Sequence, residues 1–112
     1  MLYRFGSAIL FLTVALKSLA CPPIAPGKSG VVSTPAAAIE AAKIAWKAVY
    51  DKARWQVGYS PAQVARFEPY VAFLDNSVWY VTGASEYTHG PGSPEASVCA
   101  ADGTVEAVSI AR

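Results

Sequence analysis

The residues with chemical potential are few and scattered. His89 is the only histidine in the 112-residue chain, with Glu86 and Tyr87 just before it and Ser85 and Ser93 on either side. An imidazole beside a carboxylate could exchange a proton near neutral pH. Serine hydrolysis asks for more: a base on the nucleophile, an acid orienting that base, and a serine on a strand-to-helix elbow. Neither serine has that setting. A zinc site needs three or four ligands, which one histidine and two distant cysteines do not assemble. The triplet Gly27-Lys28-Ser29 has the look of a phosphate loop. It lacks the earlier glycine, the preceding strand and the following helix that a phosphate cradle requires. The sequence therefore predicts no catalytic residue, no metal and no cofactor, and hence no enzyme. Glu86, Tyr87 and His89 read as exposed loop residues suited to touching a partner.

The remaining reactive side chains are Cys21 and Cys99. The stretch Ser18-Leu19-Ala20-Cys21 bears on both. Small residues before Cys21, the apolar run Phe5–Leu16 and a positive charge at Arg4 have the anatomy of a secretory signal peptide over residues 1–20. The apolar run is short for a bilayer span. In an exported chain, two cysteines suggest a disulfide. The same four residues also resemble a lipobox, in which Cys21 would carry a lipid anchor and Cys99 would stay unpaired. Two free thiols are the third reading, and the sequence leaves all three open.

Loss of residues 1–20 takes Arg4 and Lys17 with it, leaving seven Lys and Arg against eight acidic residues, a net charge of −1. That balance excludes a strongly basic nucleic-acid footprint. There is no basic amphipathic stripe for a membrane surface.

The elements that would carry these residues follow from the pattern. Residues 21–33 hold three prolines and two glycines and read as a flexible leader. A single domain is expected over 34–112. Thr34-Pro35 is a helix start, with a hydroxyl cap followed by proline at the first helical position. Ile39, Ala42, Trp46, Val49, Tyr50 and Ala53 then recur at three- and four-residue steps, predicting a helix over 35–54. Lys47 and Asp51 are spaced to pair on its surface. Ser60 and Gln63 suggest a capped short helix over 61–66, which Pro69 limits.

From Tyr70 the period becomes two. Strands are expected at 70–74, 78–82, 96–100 and 105–110, with turns at Asp75-Asn76 and Asp102-Gly103 and a loop from Gly83 to Pro94. The expected fold is α+β: a long N-terminal helix and a short helix packed on a four-stranded antiparallel meander. Neighbouring strand residues point to opposite faces. Trp79 and Val81 are the more apolar pair and are placed against the helix, near Trp46. Tyr80 falls on the open face, with Tyr70 or Val71 beside it depending on register. Trp55 lies just past the helix and is the tryptophan expected to be exposed.

In this succession the chain resembles the bacterial immunity proteins of nuclear-transport-factor-like (cystatin-like) fold that neutralise polymorphic toxins. The resemblance is carried by "TPAAAIEAAKIAWKAVY", by Pro69-Tyr70 at the strand entry, by the Asp75-Asn76 turn, by Val78-Trp79-Tyr80-Val81-Thr82-Gly83, and by the closing "EASVCAADGTVEAVSIAR". It covers about three quarters of the chain. Gly92-Ser93-Pro94 stands where that family has a Gly-Gly step, and Cys99 where it has an aliphatic residue. The resemblance implies a curved sheet over a helix, no catalysis and binding to a protein toxin. With the signal peptide, it implies action in the periplasm on a toxin of the cell envelope. The contact residues expected are Tyr80, Glu86, Tyr87 and His89. A periplasmic inhibitor or scaffold of the peptidase-propeptide type, with a helix across a sheet and a final "DG-x-V" hairpin, is the alternative.

Overall fold

A computed structural model describes residues 21–83 and 92–112. The first element is helix α1 (Pro35–Lys52). Thr34 accepts from the Ala37 amide at 3.1 Å, and Pro35 occupies the first turn, where its missing N–H costs nothing. The helix ends two residues before the expected Arg54. A 3₁₀ turn (Val57–Tyr59) and the one-and-a-half-turn helix α2 (Pro61–Arg66) follow, with Ser60 Oγ accepting from the Gln63 amide.

Four strands then form one antiparallel sheet in the order β1-β2-β3-β4: β1 (Tyr70–Asp75), β2 (Val78–Gly83), β3 (Pro94–Cys99) and β4 (Val105–Ile110). This is the expected meander with a helix packed across it. Two connections differ from expectation. The β1–β2 turn is Asn76-Ser77, both at positive φ (51° and 68°), so Asp75 pairs with Val78. Two consecutive left-handed residues give the turn twist that suits a two-residue hairpin. The β3–β4 connection is not a two-residue turn at Asp102-Gly103. The Cys99 amide donates to the Thr104 carbonyl and the Gly103 amide donates to the Cys99 carbonyl, so four residues lie between. Gly103 takes the left-handed position, at φ 79°. The wider loop frees Ala100 to donate to the Ser77 carbonyl and accept from the Val32 amide. Strand β3 also begins at Pro94, two residues early.

The core lies between α1 and one face of the sheet. Ala38, Ala42 and Trp46 are wholly buried, one helical turn apart, against Val81 and Val98. The two alanines allow the helix to sit close; the indole fills the gap that remains. Its Nε1 donates to the Glu95 carbonyl at 3.1 Å, and its ring meets that of Tyr70 at 5.0 Å. Trp79 is buried on the same side, as the alternation required, but its Nε1 donates to the Val32 carbonyl at 2.8 Å.

Residues 21–33 therefore depart from a flexible leader. Val32 is buried, Ile24 packs against the core, and the amides of Val31 and Val32 donate to the Ala101 and Ala100 carbonyls. A Cβ on Gly30 would collide with the Ala100 carbonyl, so glycine is what permits this approach. A disulfide between Cys21 and Cys99 anchors the far end, with Cα atoms 5.1 Å apart and 78 residues of separation. Of the three readings of the cysteines, the structure holds the disulfide.

Candidate functional site

The second face of the sheet carries no helix among the described residues. Strand alternation sends Phe73 from β1, Tyr80 and Thr82 from β2, Glu95 and Ser97 from β3, and Ala107 and Ser109 from β4 to this face. Together they line a hollow of about 410 Å³. That volume falls in the usual range for ligand sites, roughly 300–1,000 Å³.

Register decides what stands next to Tyr80. With the turn at Asn76-Ser77, Tyr80 lies opposite Phe73, not Tyr70 or Val71. The two rings stack with centroids 5.5 Å apart and planes 28° from parallel. They remain 56% and 39% exposed, so an aromatic shelf faces solvent. Across the hollow from it, the Thr82 hydroxyl donates to Glu95 Oε2 at 2.9 Å. Among the described residues no Lys or Arg pairs with Glu95. The hollow thus offers apolar rings on one wall, and a carboxylate and hydroxyls on its floor. It holds no histidine or cysteine among the described residues. Nor do those residues contain a group of three or more His, Cys, Asp or Glu that could hold a metal.

A second hollow, of about 310 Å³, opens between α1 and α2. Its polar groups are spent on each other: Lys43 Nζ bonds Glu68 Oε2 at 2.5 Å and lies 5.9 Å from the Tyr70 ring centroid. Tyr70 donates to the Val64 carbonyl at 2.8 Å. Burial raises the Tyr70 phenol above its ordinary value, and the charge of Glu68 adds to that. Burial likewise raises Tyr59. Both shifts come from packing.

Of the contact residues read from sequence, Tyr80 lies on the open face as expected. Glu86, Tyr87 and His89 lie outside the described residues. The sequence pattern does not single out Phe73, Glu95 and Ser97; they join the site through strand parity once the register is known. Trp55 is exposed, at 79%, and stands apart from the hollow. The Cys21–Cys99 bond is compatible with an exported protein. No helix among the described residues is long and apolar enough to cross a membrane. Compared with known proteins, the chain matches no protein-family model, and no curated protein or solved structure matches it significantly.

Proposed function

We propose that the protein is an exported, non-catalytic binding protein of the immunity type, which occludes a protein toxin acting in the cell envelope. The reading is carried by one observation: a rigid four-stranded sheet presents a stacked Phe73–Tyr80 pair to solvent on the face opposite its helix. Aromatic side chains fixed by their backbone lose little entropy on contact and commonly dominate binding energy. The disulfide supports residence in an oxidising compartment, and the N-terminal segment has the composition of an export signal. The order of elements agrees with the immunity-protein resemblance.

The test is capture of partners from the envelope fraction of the native organism by the mature chain, with wild type beside the Phe73→Ala/Tyr80→Ala double variant. The expected result is one dominant protein, lethal when expressed in the envelope without this chain, and retained by wild type alone. Recovery of no such protein, together with equal fitness of deletion and parent strains in co-culture, would remove the proposal. Inhibition across a protease panel would point instead to a propeptide-like inhibitor.

A further inference from the structure

The strands of the sheet carry acidic side chains but no basic ones. The four strands carry Asp75, Glu95 and Glu106 and not one Lys or Arg. Among the described residues, Lys43, Lys47, Lys52, Arg54 and Arg66 belong to the helices and the residue after α1's cap, Lys28 to the leader, and Arg112 follows β4. No strand therefore contributes a Lys or Arg to the open face.

The hollow on that face pairs its acid with an aromatic ring. Tyr80 lies opposite Ser97, and Glu95 is two residues further along the same face of β3. Diagonal neighbours of this kind are separated by about 7–8 Å, within reach of one long side chain. The Glu95 carboxylate already accepts from Thr82, which fixes its position. It has no cation among the described residues. A flat, delocalised cation laid on the Tyr80 ring would gain from the ring's negative face. Its N–H groups could then bond the remaining carboxylate lone pairs, which is a charge-assisted contact. A guanidinium has that shape; an ammonium is a point charge and uses the ring less well.

We propose that this hollow is an arginine-binding pocket, receiving one arginine side chain of the protein partner against Tyr80 and Glu95. The assignment rests on the binding function above and names its central contact. A neutral or acidic anchor would leave Glu95 uncompensated when the face is covered, whereas an arginine satisfies it.

The pocket is tested without knowing the partner. The mature, disulfide-bonded chain is titrated with N-acetyl-arginine amide, and the backbone amide signals are followed by NMR. The uncharged citrulline counterpart and the lysine counterpart are titrated in parallel. Saturable shifts are expected at Tyr80, Glu95 and Ser97 with the arginine compound, weaker ones with lysine, and none with citrulline. Glu95→Gln keeps an acceptor for Thr82 and should weaken binding about ten-fold or more, as loss of a charged hydrogen bond implies. Tyr80→Ala should weaken it by roughly three- to ten-fold. Unchanged melting temperatures would exclude misfolding as the cause. Equal shifts from citrulline, or undiminished binding by Glu95→Gln, would overturn the assignment. The two proposals separate cleanly. Envelope capture that survives Glu95→Gln sinks the arginine pocket and spares the immunity reading. Specific arginine binding by a chain that captures no envelope protein does the reverse.

Discussion

The two faces of one sheet are built from the same strands, yet they meet opposite surroundings. Facing α1, Trp79, Val81, Ala96 and Val98 are buried and their polar atoms are satisfied inside the fold. Facing away, Phe73 and Tyr80 are just as aromatic but remain open to water, beside a Glu95 carboxylate that pairs with no Lys or Arg among the described residues. The difference comes from alternation alone: a residue's parity within its strand decides whether its apolar area is buried in the fold or stays at the surface. Stability should therefore be concentrated on one parity and recognition on the other.

Trp46 is the sharpest test of that division. It is fully buried between the helix and the helix-facing side of the sheet, and its Nε1–H donates to the Glu95 backbone carbonyl. Trp46→Ala should cost about 3–5 kcal/mol, from lost transfer energy and the cavity left behind. In urea unfolding this would appear as a large drop in midpoint, or as a chain unfolded at the outset. A loss under about 1 kcal/mol would mean that the helix is not seated as described.

The leader comes next. Its covalent tie closes a loop of 78 residues of separation. Replacing both cysteines by serine should cost about 2–4 kcal/mol, largely through the freer unfolded chain. Hydrogen exchange should then quicken at Val31 and Val32, whose amides bond the β3–β4 loop. The Trp79 fluorescence should also change, because its indole loses a fixed acceptor at Val32. Exchange that stays slow there would show the leader held by packing without the bond.

Tyr70→Phe should cost less, about 0.5–1.5 kcal/mol, through loss of the bond to the Val64 carbonyl. It has a pH signature as well. The phenol is raised in the folded state, first by burial and then by Glu68. The unfolded chain therefore releases this proton near its ordinary value, about 10, while the folded chain still holds it. Stability is fully present below that pH and falls as pH rises above it. Tyr70→Phe should flatten the alkaline decline in unfolding midpoint. An unaltered decline would assign it to other groups.

Much of this arrangement was readable in advance, and what was missed has a physical origin. The cap at Thr34, the buried stripe through Ala42 and Trp46, the Lys47–Asp51 pair and the inward side of Trp79 all follow from local periodicity and spacing. The site depended on register, and register depended on one residue of turn. A turn at Asp75-Asn76 would set Val71 opposite Tyr80; the actual turn, Asn76-Ser77, moves the pairing by two and sets Phe73 there. Ser77 is an unusual choice for a left-handed position, which is why the sequence pointed one residue early. The leader departs from its expected flexibility for a different reason. Proline and glycine announce irregular backbone, not mobility, and here Gly30 is what permits contact with Ala100. The four-residue β3–β4 loop escaped because the tertiary demands on Ala100, from Ser77 and from Val32, overrode a strong local turn signal.

The smallest effects are expected on the open face, and they close the comparison. Phe73→Ala and Tyr80→Ala should each lower stability by about 1 kcal/mol or less, since both rings keep much of their surface in water and cross-strand pairs contribute roughly 0.2–1 kcal/mol. A double-mutant cycle should return a coupling within that range, because the two rings stack across the hairpin's exposed side. The same two substitutions should abolish partner capture. That inversion separates the faces: Trp46→Ala removes binding only by removing the fold, whereas Phe73→Ala/Tyr80→Ala removes binding from a chain that still melts cooperatively near the wild-type temperature. If the double variant instead lost several kcal/mol of stability, the shelf would be part of the core's support, and its exposure would no longer argue for recognition.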